Sequence, residues 1–319
     1  DPQGGLDTSP GGPLEPALRR RGVMTGEVVR MGIHDGLTVE TTLDPVKQPF
    51  LHDHQISMTP VLPGVMGIEA MAETARLLYP DRHVGAVENV SFLAPFKFYR
   101  NQPRTLTVHA VYYPDKEDII AECRLLGSRT LHGQPQPEVT THFTGRVRLT
   151  AGRGQSVRET VDFRPGKAEK ITAEQVYRVF FHGPAYQVID SAWRAADRIV
   201  GLFKQGLPAN HTPPELPVAA SPRLVEFCFQ IGSLFGLGLH ARLGLPHAVR
   251  EVQFLSAPEG ESDAMFYSVV VPNPDGTYDA KVADGEGNVV LNLRGYQTMD
   301  LPDPMDPDLV DPIRRVLGR

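Results

Sequence analysis

Apolar and polar positions alternate along Glu27-Val28-Val29-Arg30-Met31 and along Leu37-Thr38-Val39-Glu40-Thr41-Thr42-Leu43. That is the two-residue period of half-buried strands, and His34-Asp35-Gly36 between them supplies a hairpin turn. After Pro63-Gly64 the period changes. Val65, Ile68, Met71, Ala72, Ala75 and Leu78 recur every three or four residues without an internal Pro, which predicts an amphipathic helix ending near Tyr79-Pro80. Strand-like runs follow at 86–98, 105–113, 119–126 and 139–149. The first half therefore reads as two strands, a helix and four strands.

A polar stretch from Ala151 to Lys170, with turn-like Phe163-Arg164-Pro165-Gly166, separates this half from a second one of similar order. There, 193–203 reads as a strand and Leu224 to Leu243 as a long apolar helix. Runs at 249–254, 265–271, 278–283 and 289–299 read as strands, with hairpin turns at Asp275-Gly276 and Asp284-Gly285. The division predicted is a linker over 1–24, a first half over 25–150, a linker over 151–170, a second half over 171–301 and a tail over 302–319.

Composition narrows the class. The chain has 319 residues, 41% of them hydrophobic and 22% charged, which is a globular rather than a disordered profile. Its 30 Gly and 29 Pro favour turns and extended segments over a helical bundle. A formal net charge of -6 argues against a nucleic-acid partner. No run approaches a membrane span; Phe227 to Leu239 comes nearest and is interrupted by Gln230 and Gly232. Cys123 and Cys228, both inside apolar runs, suit a reducing, cytoplasmic setting.

Chemistry concentrates between Phe50 and Ala70. His54 precedes a loop that ends in Pro63-Gly64 and opens into the helix, so the backbone N–H groups of Gly64 and Val65 stand at a helix start, where the dipole adds positive potential. Such a terminus can polarise a carbonyl. His52-Asp53-His54 invites a metal reading, but no companion ligand spacing completes it and no metal is assigned. Ser57 and Ser221 lack a nucleophile elbow, and no phosphate loop is present.

The run Val61-Leu62-Pro63-Gly64-Val65-Met66-Gly67-Ile68-Glu69-Ala70-Met71-Ala72-Glu73 resembles the dehydratase domains of polyketide synthases and polyunsaturated fatty acid synthases, most of all their iterative branches. The family motif His-x3-Gly-x4-Pro is met by His54 and Pro63, with Met58 at the Gly position. Tyr-Gly-Pro-x-Phe is matched by His182-Gly183-Pro184-Ala185-Tyr186. Leu-(Leu/Val)-Asp-x3-(Gln/His) is matched by Leu224-Val225-Glu226-Phe227-Cys228-Phe229-Gln230, with Glu in place of Asp. In order, these cover about residues 25–300. The resemblance implies an α+β double hot-dog fold, two antiparallel sheets each wrapped round a long helix, with a site shared by the halves.

It also implies the dehydration of a 3-hydroxyacyl thioester to an enoyl thioester. His54 is the expected base, its ordinary pKa lying near neutrality, and Glu226 the acid if apolar neighbours keep it protonated. Gln230, one helical turn on, would hold the carboxyl or the leaving hydroxyl. Pro63, Gly64, Val65 and Tyr186 are the further substrate-contact candidates. Met58 is expected to narrow the acyl tunnel or shift the loop. No cofactor is expected beyond the phosphopantetheine of an acyl carrier protein. The implied partners are that carrier and neighbouring synthase domains, with homodimerisation left open. A catalytically silent acyl-binding domain, and a double-bond isomerase or cyclase, remain as other readings.

Overall fold

The computed structural model describes residues 21–318, apart from 33, 130–135, 159–162, 164, 167, 256–263 and 301–304. Residues 1–20 of the expected 1–24 linker and Arg164 of the 163–166 turn thus lie outside the described residues. The chain divides into two compact units, one made of 1–153 with 210–221, the other of 154–209 with 222–319.

In the first unit, β1 (Glu27–Gly32) and β2 (Gly36–Leu43) form the expected hairpin. A short helical turn, α1 (Pro49–His52), leads to a two-residue-stranded hairpin, β3 (Gln55–Ile56) and β4 (Thr59–Pro60). Helix α2 (Gly64–Arg76) follows, then β5 (His83–Phe92), β6 (Arg104–Asp115), β7 (Asp118–Arg129) and β8 (Glu138–Thr150). All pairs are antiparallel, in the order β1-β2-β6-β7-β8-β5. The sheet wraps α2, which is buried from Val65 through Ala75. Burial on every side explains why the helix is apolar beyond a single stripe. Gly67 has no side chain because a Cβ there would stand 2.3 Å from the Phe143 ring.

The second unit repeats the plan. It contains β9 (Lys170–Thr172), helix α3 (Ala173–Tyr177), β10 (Ile189–Ala195), β11 (Arg198–Phe203) and helix α4 (Pro222–His240). Strands β12 (Gly244–Phe254), β13 (Phe266–Pro272), β14 (Tyr278–Asp284) and β15 (Val289–Asp300) complete its sheet, in the order β12-β15-β14-β13-β11-β10-β9. The sheet is antiparallel and wraps α4. Each unit is therefore a hot-dog, and the fold is a double hot-dog of the α+β class.

Three details differ from the sequence reading. Residues 193–203 are not one strand but the end of β10 and all of β11, joined at Ala196, whose φ of 57° turns the chain without a Gly or Asn to mark it. The tail contains helix α5 (Pro307–Leu317), capped by the Asp306 carboxylate on the Asp308 N–H, with Val310, Ile313 and Leu317 buried. Its pattern is masked in the sequence by Pro307 and Pro312, yet Pro at the first helical position is a normal start. Finally, 210–221 belongs with the first unit. The Glu69 carboxylate explains this, because it accepts the N–H groups of Ala219 and Ala220. Among the described residues no helix is long and apolar enough to cross a membrane.

Candidate active site

His54 stands where α1 hands over to β3. The Asp53 N–H closes the turn on the Pro49 carbonyl, and the His54 carbonyl accepts the Val61 N–H at 3.0 Å, so the β3–β4 hairpin holds the residue at both ends. The His54 ring is buried, and its Nδ1 lies 2.8 Å from the Val61 carbonyl oxygen. A carbonyl only accepts, so Nδ1 carries the ring proton and Nε2 carries the basic lone pair. His52 instead ends α1 and pairs with Asp53 at 3.0 Å. The two histidines are thus not on one strand.

The loop after β4 is tied to the strand-like segment 96–98, with Leu62 N–H on Phe96 O and Phe98 N–H on Pro60 O. This fixes Pro63 as the buried N-cap of α2. The first intrahelical bonds run from the Met66 and Gly67 N–H groups to Pro63 O. The N–H groups of Gly64 and Val65 precede them, as at any helix start. Gly64 packs under the Phe92 ring, where a Cβ would come within 2.8 Å.

In the second unit, Glu226 and Gln230 share one face of α4. Gln230 Nε2 donates to Glu226 Oε1 at 2.9 Å and to the Tyr186 carbonyl at 2.9 Å, while its Oε1 accepts the Tyr177 hydroxyl at 2.9 Å. The Tyr177 oxygen in turn accepts the Ile189 N–H at 2.7 Å. Burial pushes the Tyr177 hydroxyl well up, so it remains a donor. A second contact reaches the same carboxyl oxygen: His182 Nε2 lies 3.1 Å from Glu226 Oε1, with only 8% and 6% of the two side chains exposed. The His182 ring stacks on Phe181 at 4.5 Å and 19°. Both neighbours thus bond to Oε1.

Comparison with known proteins fixes the family. Residues 24–120 match the family model described as polyketide synthase dehydratase domain, and 155–307 match the one described as polyketide synthase dehydratase N-terminal domain. The chain belongs to the polyketide synthase dehydratase domains. Polyketide synthase ThaG of Burkholderia thailandensis is 26% identical over 265 residues, which is 78% of this chain and 4% of that protein. The dehydratase domain spans between 4% and 7% of the curated relatives it matches. Among solved structures, the dehydratase domain from the CurF module of curacin polyketide synthase superposes with a TM-score of 0.73 at 16% identity, covering 88% of this chain and 99% of that one. Two curacin CurK dehydratases, described as inactive mutants with His replaced by Phe and Asp by Asn, give TM-scores of 0.68 and 0.70. Their identities are 14% and 15%, covering 87% and 88% of this chain and 96% and 99% of theirs.

Within this dehydratase domain, the structure places Pro63, Gly64 and Val65 together at the start of α2 and gathers Glu226, Gln230 and Tyr186 around one hydrogen-bond network. Tyr186 enters that network through its main-chain carbonyl, its ring being fully buried. Met58 corrects the expectation attached to it. It is the second residue of the β3–β4 turn, with φ of 60° after Ser57 at 49°, and its side chain is 89% exposed. Sequence reasoning did not assign Tyr177 or pair His182 with Glu226. Tyr177 had a legible signal, since Thr172-Ala173-Glu174-Gln175 is a capping box that starts α3.

Proposed function

We propose that this domain removes water from a 3-hydroxyacyl thioester presented on the phosphopantetheine arm of an acyl carrier protein, giving the α,β-enoyl thioester. The observation that carries the reading is the buried Glu226 carboxyl, whose Oε1 accepts the Gln230 amide N–H at 2.9 Å and lies 3.1 Å from His182 Nε2. His54 is the complementary base, its lone pair placed on Nε2 by the Val61 carbonyl.

In the proposed reaction, His54 Nε2 takes the α-proton, the C–H electrons form the α,β double bond, and the β-carbon–oxygen bond breaks as the Glu226 carboxylic acid protonates the leaving hydroxyl to water. The Gly64 and Val65 N–H groups meet the thioester carbonyl, where negative charge develops. Pro63 sets the direction of that helix start, and Tyr186 and Gln230 border the acid. The inactivity of the CurK variants with a changed His or Asp supports a histidine and a carboxyl in these roles. The run from Val61 to Glu73 supports an iterative type of synthase, with neighbouring domains as partners.

Mass spectrometry of a 3-hydroxyacyl thioester incubated with the domain tests the reading. Loss of one water is the expected result. An unchanged substrate, across chain lengths and both hydroxyl configurations, would overturn it.

A further inference from the structure

We infer that His182 is a positioning residue for the acid, and that His182 and Glu226 are one paired departure from the family pattern rather than two separate ones. The inference rests on the dehydratase reading above. The family's motifs carry Tyr and Asp at these two positions, and this chain carries His and Glu. Neither replacement is neutral alone. A carboxyl on Asp would be withdrawn by one carbon–carbon bond, about 1.5 Å, so the 3.1 Å contact between His182 Nε2 and Glu226 Oε1 would be lost. The longer Glu side chain reaches the ring, and the ring is fixed by its stacking on Phe181 and its tilted contact with Phe180 at 5.8 Å.

The bond has a defined chemical use. Gln230 has its two amide N–H groups on Glu226 Oε1 and Tyr186 O, so it supplies one donor to the carboxyl and can supply no more. His182 adds the second donor through Nε2–H. As the proton leaves the carboxyl, negative charge spreads onto Oε1, the oxygen that Gln230 and His182 both approach. Charge-assisted hydrogen bonds are the stronger kind, so the pair of donors favours the state that follows proton transfer. Among the described groups near this carboxyl are His182, Gln230, Tyr177 and Tyr296, the last stacked on Phe229 at 4.4 Å.

The test is a double-mutant cycle on the intact chain. His182→Tyr and Glu226→Asp should each lower kcat by about tenfold or more, with KM changed by less than about threefold. The double variant, which restores the family's pair, should recover to within a few-fold of the parent instead of showing the product of the two losses. His182→Gln, which keeps an N–H donor near the Nε2 position, should retain at least a tenth of the activity, and His182→Leu should not. Losses that multiply, or His182→Leu at parental activity, would overturn the inference. A readout independent of turnover separates its failure from failure of the dehydratase reading. In protein labelled with 15N-histidine, His182 should show a protonated Nε2 whose proton shift moves in Glu226→Gln. A lone pair on Nε2 would overturn the pairing even in a chain that dehydrates its substrate, and a protonated, responsive Nε2 in a chain that dehydrates nothing would leave the pairing standing alone.

Discussion

The 2.8 Å contact between His54 Nδ1 and the Val61 carbonyl settles which ring nitrogen is basic. It is a main-chain contact across the β3–β4 hairpin, so it survives side-chain changes elsewhere. His54→Ala removes the proposed base but leaves the hairpin bond between the Val61 N–H and the His54 carbonyl. Turnover should fall by about 100-fold or more, the ordinary cost of a lost general base, while circular dichroism and melting temperature stay close to the parent. Near-parental turnover would remove His54 from the mechanism.

Glu226→Gln separates the acid's proton from its shape. The amide oxygen can still accept from Gln230 and His182, so the network around α4 persists while the transferable proton is gone. Dehydration should drop by at least about 100-fold, with thioester binding by titration calorimetry nearly unchanged. If dehydration continues, the carboxyl serves the fold and not the reaction.

Much of this was legible before any coordinates. The recurrence of Val65, Ile68, Met71, Ala72 and Ala75 marks α2 because the helix is wrapped and its apolar positions had to repeat every turn. Gln230 was legible as a partner of Glu226 because four residues on a helix bring side chains together. The His182 contact was not, since it joins a loop to a helix and only the folded chain measures that approach. The burial of Met24 was equally hidden. Its run reads as linker, and what holds it is a carboxylate far along the chain, Glu73, accepting the Met24 N–H.

Met58 gives a prediction of the opposite kind. It occupies a left-handed turn position with its side chain in solvent, where a residue with a Cβ costs roughly 1–2 kcal/mol. Met58→Gly, which restores the family's residue, relieves that strain and offsets part of the gain through the freer unfolded chain. The melting temperature should stay level or rise slightly, and turnover should stay within about twofold. A tenfold change in turnover would show that this exposed side chain meets the substrate or its carrier.

The last prediction concerns Glu69 and Glu73, buried one turn apart on α2. Glu69 accepts the Ala219 and Ala220 N–H groups, and Glu73 accepts the Met24 N–H and the Thr25 hydroxyl, the latter at 2.7 Å. Burial raises both carboxyls above the ordinary range. Glu69 is pushed up to about 7, and Glu73, which also feels the Glu69 charge, is held well above its usual value and keeps the proton that it donates to Glu69. From about pH 4.5, where the unfolded glutamates lose their protons, up to about 7, the folded chain binds more protons than the unfolded one. Its stability therefore falls as pH rises through that window. Glu73→Gln keeps an acceptor for Met24 and Thr25 and an N–H donor for Glu69, with no proton to lose. Its melting temperature should exceed the parent's by a few degrees at pH 8, and its decline between pH 5 and 8 should be shallower. Glu69→Gln turns an amide toward two N–H donors and satisfies at most one of them well, so it should melt lower at every pH, by about 1–3 kcal/mol of lost stability. Melts of the three proteins across pH 5–8 decide the matter: equal slopes for Glu73→Gln and the parent would show that Glu73 is not the group holding the buried proton.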